Sequence, residues 1–542
     1  MQQMELEVRD YYRYCPGEEQ IKLSNAVCRG RRRVNYPKCR GCQFNDDERA
    51  AAARTAAREG GAMTTGETAD AIAGVFKAYD IRGTVPSPLS DDLAWRIGHA
   101  TAQYLLSRLS GMERASPAGK SLVVGRDIRP HSPALQSAFI DGARAAGLDV
   151  IDIGLIDTSQ IYFAVNHLRA CGGVQTTASH NPVQYNGFKI CASAGKPVGA
   201  GTGLESIREI TLRVPRHQTG VTAKRVETDL SGPYRAFVRG FLNVAAPGAS
   251  VSPADEGLPR PLTVVVDASN GCAGHWFPIL FGDVRNLTIV PLHFEHAGVF
   301  EHDPNPLIAA NLADLRAAVK EHRADFGACF DGDADRCVFV DEKAEIIRSD
   351  FITALLARGF LEKSPGAAVV YDLRSSRVLK EEIERAGGVP FRQRVGHAFM
   401  KKALAENNAV FGGELSGHFY FRDNFYCDSG MLAFVHVLNL LARGPRKLGE
   451  LVRPLRRLHA TGEINFENPD AAGTFEALTR RYADGRIDDL DGVTVQYDDW
   501  WFNLRASNTE PLLRLNLEAG AKKLMQEKLA ELEPLLGKRV AH

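Results

Sequence analysis

The chain has 542 residues, 44% of them hydrophobic and 24% charged, which is ordinary for a globular protein and enough for three or four domains. Basic and acidic residues both number 66, so the basic excess that is typical of a nucleic-acid binder is absent. The N-terminus is too charged for a signal peptide and the apolar run 431–442 is too short to span a bilayer, so we expect a cytoplasmic protein that has no membrane segment.

Residues 1–70 form a cysteine-rich N-terminal extension whose composition differs from that of the rest of the chain. Four of the ten cysteines lie there and end in a Cys-x-x-Cys pair, a set that could bind a tetrahedral Zn²⁺. The alternative is free thiols in a loosely ordered extension, and a redox role is disfavoured because no βαβ pattern surrounds the pair. We favour the zinc site, for which the predicted ligands are Cys15, Cys28, Cys39 and Cys42. The sequence does not identify a protein partner for this extension.

From residue 71 onward, apolar strand patterns alternate with helical ones. Strands are predicted over 121–124, 150–153, 262–266, 326–330 and 367–371, and helices over 133–146, 307–321, 350–361 and 377–386. Such alternation predicts mostly parallel α/β layers, in which ligands bind at the carboxyl ends of the strands. The last segment differs, because leucines alternate with polar residues over 512–518 as in a half-exposed sheet, which predicts an α+β domain.

The first loop that contains candidate catalytic residues reads Thr-Thr-Ala-Ser-His-Asn-Pro, with Ser179 near its centre. A serine in a polar loop is commonly only a helix cap, and the Gly-x-Ser-x-Gly elbow of a hydrolase is absent. However, His180, Asn181 and the downstream Lys189 supply donors suited to an oxyanion. Lys189 could stabilise a phosphoryl group or, if desolvated, carry a proton.

The second loop follows the predicted strand 326–330 and contains three aspartates at alternate positions. Alternate carboxylates can converge on one hard cation, so Asp331, Asp333 and Asp335 are predicted ligands for Mg²⁺, Ca²⁺ or Mn²⁺. An EF-hand is excluded because Arg336 stands where its glycine belongs and 337–340 has a strand pattern. Magnesium usually combines few carboxylates with a phosphate oxygen, so a phosphorylated partner is expected.

Two further loops have weaker signals. In Gly-Gly-Glu-Leu-Ser-Gly-His, Glu414 and Ser416 alternate and could bind neighbouring hydroxyls in one cleft. In Arg-Ala-Ser-Asn-Thr-Glu-Pro, Arg505 offers a planar fork for phosphate, and Ser507, Asn508 and Thr509 add further donors. The alternative for each is an ordinary turn.

In this order and spacing the four loops resemble those of the α-D-phosphohexomutases, and most closely the bacterial phosphomannomutase/phosphoglucomutase branch. Further marks are Lys-Ala-Tyr-Asp-Ile-Arg-Gly at 77–83 and Gly-Arg-Asp at 125–127. The resemblance covers about residues 75–542. It implies an α/β protein with three mixed α/β domains and a C-terminal α+β domain around a central cleft. The expected domains are 71–232, 233–344, 345–456 and 457–542, after the extension 1–70.

The resemblance also implies roles for individual residues. Ser179 would be the phosphoserine and would complete the metal shell of Asp331, Asp333 and Asp335. The residues expected around the transferring group and the sugar are Lys189, Arg336, His397 and His418. Those expected to bind the substrate are Tyr79, Arg82, Arg374, Glu414, Ser416, Arg505, Ser507, Asn508 and Thr509. Arg374 stands where the family often has lysine, and we expect it to keep the positive charge.

The activity implied is the interconversion of hexose 1-phosphates and hexose 6-phosphates, of mannose, glucose or both. It would use Mg²⁺ and a phosphoserine, pass through a 1,6-bisphosphate, and need that bisphosphate as a primer. Sugar phosphates are therefore the expected partners. A phosphoglucosamine mutase is disfavoured by the Glu-Leu-Ser-Gly-His loop, and a non-catalytic sugar-phosphate sensor would not need to retain Ser179.

Overall fold

The computed structural model describes residues 12–14, 22–24, 65–214, 223–242, 257–296, 298–507 and 512–540. The chain divides into two compact units, Met1–Ala69 and Asp70–His542. In the first unit, strands β1 (Tyr12–Tyr14) and β2 (Lys22–Ser24) pair antiparallel. The four cysteines of the extension lie outside the described residues, so the zinc site stays a prediction. Among the described helices, none combines the length and the apolar character that crossing a membrane requires.

The second unit begins with a six-stranded mixed sheet of order β3-β7-β6-β4-β5-β8. Its strands are β3 (Ile81–Thr84), β4 (Ser121–Arg126), β5 (Asp149–Leu155), β6 (Gly172–Thr176), β7 (Tyr185–Ala192) and β8 (Arg225–Glu227). The accompanying helices are α1 (Thr65–Val75), α2 (Asp91–Arg108), α3 (Gly111–Ala115), α4 (Ser132–Ala145), α5 (Thr158–Leu168) and α6 (Leu204–Arg213). The central residues of β4 are all apolar because helices cover both faces of the sheet: Leu122 and Val124 join one core cluster and Val123 joins another.

A five-stranded sheet of order β10-β9-β11-β12-β13 follows. Its strands are β9 (Gly257–Asp267), β10 (Arg285–Leu292), β11 (Phe326–Phe330), β12 (Cys337–Asp341) and β13 (Ile346–Ile347), and the helices nearby in sequence are α7 (Ser231–Arg239), α8 (Cys272–Phe281) and α9 (Ala313–Glu321). The helix predicted over 307–321 therefore begins later than expected. A 3₁₀ turn over Ala309–Leu312 precedes it, and the Asn311 amide donates to the carbonyl oxygens of Asp303 and Asn305, both at 2.9 Å, in the loop before that turn.

The third sheet has the order β15-β14-β16-β17-β18. Its strands are β14 (Ala368–Asp372), β15 (Val389–Gln393), β16 (Phe411–Gly413), β17 (Phe419–Phe421) and β18 (Cys427–Asp428), and its helices are α10 (Ser349–Lys363), α11 (Arg377–Arg385), α12 (His397–Glu406), α13 (Gly430–Ala442) and α14 (Leu448–Val452). Three successive sheets share one connectivity, because β5-β4-β6-β7, β10-β9-β11-β12 and β15-β14-β16-β17 each place three parallel strands beside one antiparallel strand. The three sheets thus repeat one connectivity, although no repeat is evident in their amino-acid sequences.

The fourth sheet is antiparallel, with the order β20-β21-β22-β23-β19-β24. Its strands are β19 (His459–Glu467), β20 (Arg486–Asp488), β21 (Val493–Gln496), β22 (Trp500–Ala506), β23 (Leu512–Ala519) and β24 (Lys538–Val540), and two helices, α15 (Ala471–Arg481) and α16 (Lys522–Leu536), accompany it. Leu513, Leu515 and Leu517 of β23 are buried, but the polar face of the strand is not half-exposed as predicted, because Asn516 and Glu518 are also buried. The Glu518 carboxylate accepts hydrogen bonds from the backbone N–H of Arg377 and the indole N–H of Trp501, which explains its burial. The predicted fold class is confirmed, and the exact domain boundaries stay predictions.

Candidate active site

Ser179 lies in the loop between β6 and β7, with its hydroxyl aimed at the acidic loop of the next domain. Its Oγ donates a hydrogen bond to Asp331 Oδ2 at 2.7 Å, across 152 residues of sequence. The side chain is buried, and the backbone has a φ of +50°, in the left-handed region that a serine rarely adopts. The Ser179 N–H donates to Thr177 Oγ1 at 2.9 Å, and His180 Nδ1 lies 3.3 Å from Oγ.

Arg129 holds this loop in place, a role that sequence reasoning missed. Its guanidinium is buried and donates to the carbonyl oxygens of Ser179 at 2.7 Å and Asn181 at 2.6 Å, and to those of Pro182 and Tyr185. It also pairs with the buried Asp127 at 3.2 Å. The available signal was its position directly after the carboxyl end of β4, where a parallel sheet gathers its functional groups.

The acidic loop connects β11 to β12 and brings three buried carboxylates together. One oxygen each of Asp331, Asp333 and Asp335 lies within 4.8 Å of the others. Within the described part of the chain, Asp333 Oδ1 is buried and has no hydrogen-bond partner. A set of oxygen ligands with an unused lone pair suits a hard divalent cation, so the residues present fit a Mg²⁺-type ion.

Charge in this loop is only partly balanced by neighbouring cations. Lys189 Nζ lies 2.7 Å from Asp333 Oδ2 and also bonds to Asp335, while Arg336 Nε lies 3.8 Å from Asp331 Oδ2. Burial, followed by repulsion from the other two carboxylates, raises the pKa of Asp331 to about 8. Although burial opposes it, the same carboxylates raise the pKa of Lys189 above its usual value. Lys189 therefore stays protonated at neutral pH.

Two histidines close to the acidic loop are held in different protonation states. His418 lies between two carboxylates, with Nε2 3.4 Å from Asp335 Oδ1 and Nδ1 3.4 Å from Glu414 Oε2. Burial opposes protonation, yet Asp335 raises the pKa of His418 to about 9. Burial lowers the pKa of His397 to about 3, so this ring is neutral. The two rings are 6.5 Å apart, and Tyr79 packs edge-on against His397 at 5.5 Å.

The predicted sugar loop, which joins β16 to β17, lies beside these histidines. Glu414 is buried, and it accepts hydrogen bonds from the Gly396 N–H at 3.0 Å and the Tyr420 hydroxyl at 2.5 Å. Ser416 Oγ lies 3.0 Å from His418 Nδ1. Both polar side chains of the loop thus face the group of residues around Asp335.

Three arginines meet around one carboxylate where the third and fourth sheets approach each other. Glu463 lies 2.9 Å from Arg505, 3.3 Å from Arg514 and 3.5 Å from Arg374. Against the effect of burial, the nearby arginines, Arg374 foremost, lower the pKa of Glu463 to about 2. Glu463 and Arg514 were not predicted, since nothing in their immediate sequence distinguishes them from ordinary strand residues.

The remaining predicted substrate residues are more scattered. Arg82 donates to Asn181 Oδ1 at 2.5 Å and pairs with Asp80, so it lies against the Ser179 loop. Tyr79 donates to the Val395 carbonyl at 3.2 Å. Ser507 follows β22, and its N–H donates to the Leu512 carbonyl. Asn508 and Thr509 lie outside the described residues.

Comparison with known proteins gives the family of the chain. Four family models match in order: phosphoglucomutase/phosphomannomutase alpha/beta/alpha domain I over 73–215, domain II over 245–344, domain III over 348–458 and the C-terminal domain over 463–533. The chain belongs to the phosphoglucomutase/phosphomannomutase family. The resemblance noted in the sequence is thereby confirmed, as is the expectation of an enzyme of the intramolecular phosphotransferase class.

Individual members of the family match over nearly their whole length. The phosphomannomutase of Vibrio cholerae is 38% identical over 473 residues, which is 85% of this chain and 98% of the relative. The phosphohexose mutases of Xanthomonas campestris are 40% identical over 468 residues, again 85% and 98%. A solved family member from Burkholderia thailandensis aligns with a TM-score of 0.75 at 31% identity and covers 85% of this chain and 96% of its own.

Proposed function

We propose that this member of the family interconverts hexose 1-phosphates and hexose 6-phosphates, with Ser179 carrying the phosphoryl group. The observation that supports this most directly is the 2.7 Å hydrogen bond from Ser179 Oγ to Asp331 Oδ2. A hydroxyl beside three carboxylates, one lysine and one arginine resembles neither a helix cap nor a hydrolase triad. Phosphoryl transfer is the chemistry in which a nucleophile, a cation-binding acidic loop and fixed positive charges are used together.

Asp331, Asp333 and Asp335 would hold the divalent cation, of which Mg²⁺ is the preferred candidate. When bound, Mg²⁺ supplies positive charge against the oxygens of the transferring phosphoryl group. A phosphate on Ser179 would add a further oxygen ligand, since its hydroxyl oxygen already lies beside Asp331.

The cationic side chains around Ser179 would stabilise the transferring group. Lys189 remains protonated, which favours its role as a fixed charge and disfavours its use as a proton carrier. Arg336 lies beside Asp331 and adds a second positive charge. His418 would stay protonated and add positive charge beside the acidic loop, whereas the buried His397 would line the sugar site as a neutral ring.

The reaction would proceed in two balanced transfers. The phosphoryl group passes from phosphoserine to the free hydroxyl of the hexose monophosphate and forms a 1,6-bisphosphate. The P–O bond to Ser179 breaks as the P–O bond to the sugar forms, and the hydroxyl proton ends on the freed Ser179 oxygen. After the bisphosphate turns round, its other phosphoryl group returns to Ser179 and the isomeric monophosphate is released. A protein whose Ser179 is unphosphorylated would need the bisphosphate as a primer.

The rest of the substrate would be bound by the third and fourth sheets. Glu414 and Ser416 would bind the sugar hydroxyls, and the non-reacting phosphate would meet Arg374 and Arg505. The further residues proposed to bind the substrate are Tyr79, Arg82, Ser507, Asn508 and Thr509. Both mannose and glucose phosphates are proposed substrates, since the relatives include proteins named phosphomannomutase and phosphohexose mutases.

The test is a coupled assay with glucose 1-phosphate and mannose 1-phosphate, each with the matching 1,6-bisphosphate. We expect Ser179→Ala to lower kcat by roughly three orders of magnitude or more. Ser107→Ala, at an exposed position of α2, is the matched control and should retain full activity. Mass spectrometry after incubation with bisphosphate should find phosphate on Ser179. Equal turnover by Ser179→Ala would refute the phosphoserine mechanism, and absence of turnover by the wild-type protein would favour a sensor.

A further inference from the structure

A second group of metal-ligating side chains lies at the carboxyl end of the second sheet, apart from the aspartates of the acidic loop. It consists of Asp267 at the end of β9, His293 just after β10, and His302 in the following loop. Asp267 is fully buried, and the side chains of His293 and His302 are only 10% and 14% exposed. One ligand atom of each lies within 4.8 Å of the others.

The two histidines of this histidine–aspartate cluster contact different oxygens of the same carboxylate. Asp267 Oδ1 lies 3.0 Å from His293 Nδ1, and Asp267 Oδ2 lies 3.2 Å from His302 Nε2. Ligands bound to one tetrahedral Zn²⁺ at about 2.05 Å are about 3.3 Å from each other. Both nitrogen–oxygen distances are close to this value, and the three ligand atoms lie within 4.8 Å of one another, so an ion would be admitted once one carboxylate oxygen turns towards both nitrogens.

In each histidine, the ring nitrogen that does not face Asp267 already has the kind of partner that a metal-bound histidine uses. His302 Nδ1 lies 2.9 Å from the Asp303 carbonyl oxygen. His293 Nε2 lies 3.4 Å from Glu301 and 3.5 Å from Asp314, both carboxylates. Metal-ligating histidines generally donate their other N–H to a carbonyl or a carboxylate, which fixes the ring and leaves the inner nitrogen free for the metal.

We propose that Asp267, His293 and His302 form a binding site for a zinc-class divalent cation, with water in the fourth position. Two imidazoles and one carboxylate favour Zn²⁺ over Mg²⁺, which prefers oxygen ligands alone. This site goes beyond the mutase activity and does not depend on it, since its three ligands are distinct from Ser179 and from the three aspartates of the acidic loop.

The location of the site gives the ion a structural role. Residues 298–303 lead to Pro304, whose side chain lies close to Gly332 of the acidic loop, and Phe300 packs against the guanidinium of Arg129 at 5.1 Å. An ion bound by His302 would fasten these residues to His293 and Asp267 at the end of the second sheet. It would thereby support the two loops that position Ser179 and Asp331.

The test measures zinc retained by the full-length protein after chelation, reloading with Zn²⁺ and equilibrium dialysis. Because the extension cysteines and the acidic loop are other candidate zinc sites, the decisive quantity is the difference between variants. We expect His293→Gln and His302→Gln each to retain one zinc fewer per chain than wild type. His322→Gln, at an exposed position after α9, is the matched control and should retain as much as wild type. Equal zinc content in all four proteins would overturn the proposal.

A second measurement keeps the proposal testable if the variants do not fold. The zinc-loaded wild-type protein is examined by X-ray absorption at the zinc edge. Scattering from two imidazole ligands on one ion supports the site, whereas a spectrum explained by sulfur or oxygen ligands alone overturns it. The melting temperature of wild type should also rise on adding Zn²⁺, because an ion that binds only the folded state stabilises it.

Discussion

Asp331 is the residue at which the charge of the acidic loop is least well compensated. Burial and then the two neighbouring carboxylates raise its pKa, and Lys189 bonds to those neighbours. The loop therefore resists full ionisation unless a cation binds. The energetic cost of placing three carboxylates together should be visible as a dependence of the free energy of unfolding on pH.

The first prediction concerns the stability of the metal-free protein. With a folded pKa of about 8 against an ordinary value near 3.8, Asp331 binds more protons in the folded state between these limits. The free energy of unfolding should therefore fall as pH rises through this window, by up to about 1.4 kcal/mol per pH unit. The Asp331→Asn variant should lack this pH-dependent loss of stability. Mg²⁺ added to the wild-type protein at pH 8 should restore the stability that it has lost. Denaturant unfolding at several pH values measures both.

The control for this prediction is Asp423→Asn, which changes an exposed carboxylate in the third domain. Its pH profile should follow that of wild type. If Asp331→Asn also parallels wild type at every pH, the carboxyl group of Asp331 is not the source of the dependence.

Arg129 is the second residue whose contribution can be isolated. Replacing it by methionine removes the donors to four loop carbonyls and leaves the buried Asp127 without its ion partner. We expect Arg129→Met to lower the free energy of unfolding by about 3–5 kcal/mol, and to lower kcat more than it raises KM. Arg208→Met, at an exposed position of α6, should leave both unchanged. A stable variant with normal kcat would show that the Ser179 loop needs no such support.

At the scale of elements, the strands and helices that the alternation of apolar and polar residues predicted are all present in the described structure, but many further elements were not predicted. Helix α9 begins later than predicted: a 3₁₀ turn over Ala309–Leu312 precedes it, and the Asn311 amide bonds to the loop before that turn, a contact that no periodicity encodes. The shared connectivity of three sheets was also beyond the sequence. Strand pairing is determined by contacts between residues that are distant in sequence, and the first three sheets form equivalent contacts with different side chains.

The packing of α2 on α4 provides a prediction at this scale. A Cβ added to Gly142 would lie 1.9 Å from the Trp95 carbonyl oxygen, and one added to Gly98 would lie 2.0 Å from that of Phe139. The helices thus touch through their backbones. Gly142→Ala should destabilise the protein by about 1–3 kcal/mol or more, since backbone atoms must move.

The matched control is Gly359→Ala in α10, where an added Cβ meets nothing within 4 Å. There the higher helix propensity of alanine should stabilise the protein by about 0.5–1 kcal/mol. Thermal unfolding of the two variants should therefore shift in opposite directions. Shifts of the same sign would contradict the close approach of the two helices.

At the scale of the whole molecule, the site is assembled from all four sheets. The motifs around Ser179, Asp331, Glu414 and Arg505 were visible in the sequence because each is a compact run of polar residues after a strand. Arg129, Glu463 and Arg514 were not, since each acts through partners that are distant in sequence or that belong to another strand. Charges that a fold places around a site are harder to predict than the loops that form it.

Glu463 joins the third and fourth domains, since it contacts Arg374 from one and both Arg505 and Arg514 from the other. Its ionised carboxylate occupies guanidinium donors that a substrate phosphate would also need. Glu463→Gln removes the competing charge, so inorganic phosphate should bind roughly tenfold more tightly, equivalent to about 1.4 kcal/mol. Isothermal titration with phosphate measures the change. Glu467→Gln, an exposed position on the same strand, is the control, and unchanged affinity in both variants would exclude competition between Glu463 and phosphate.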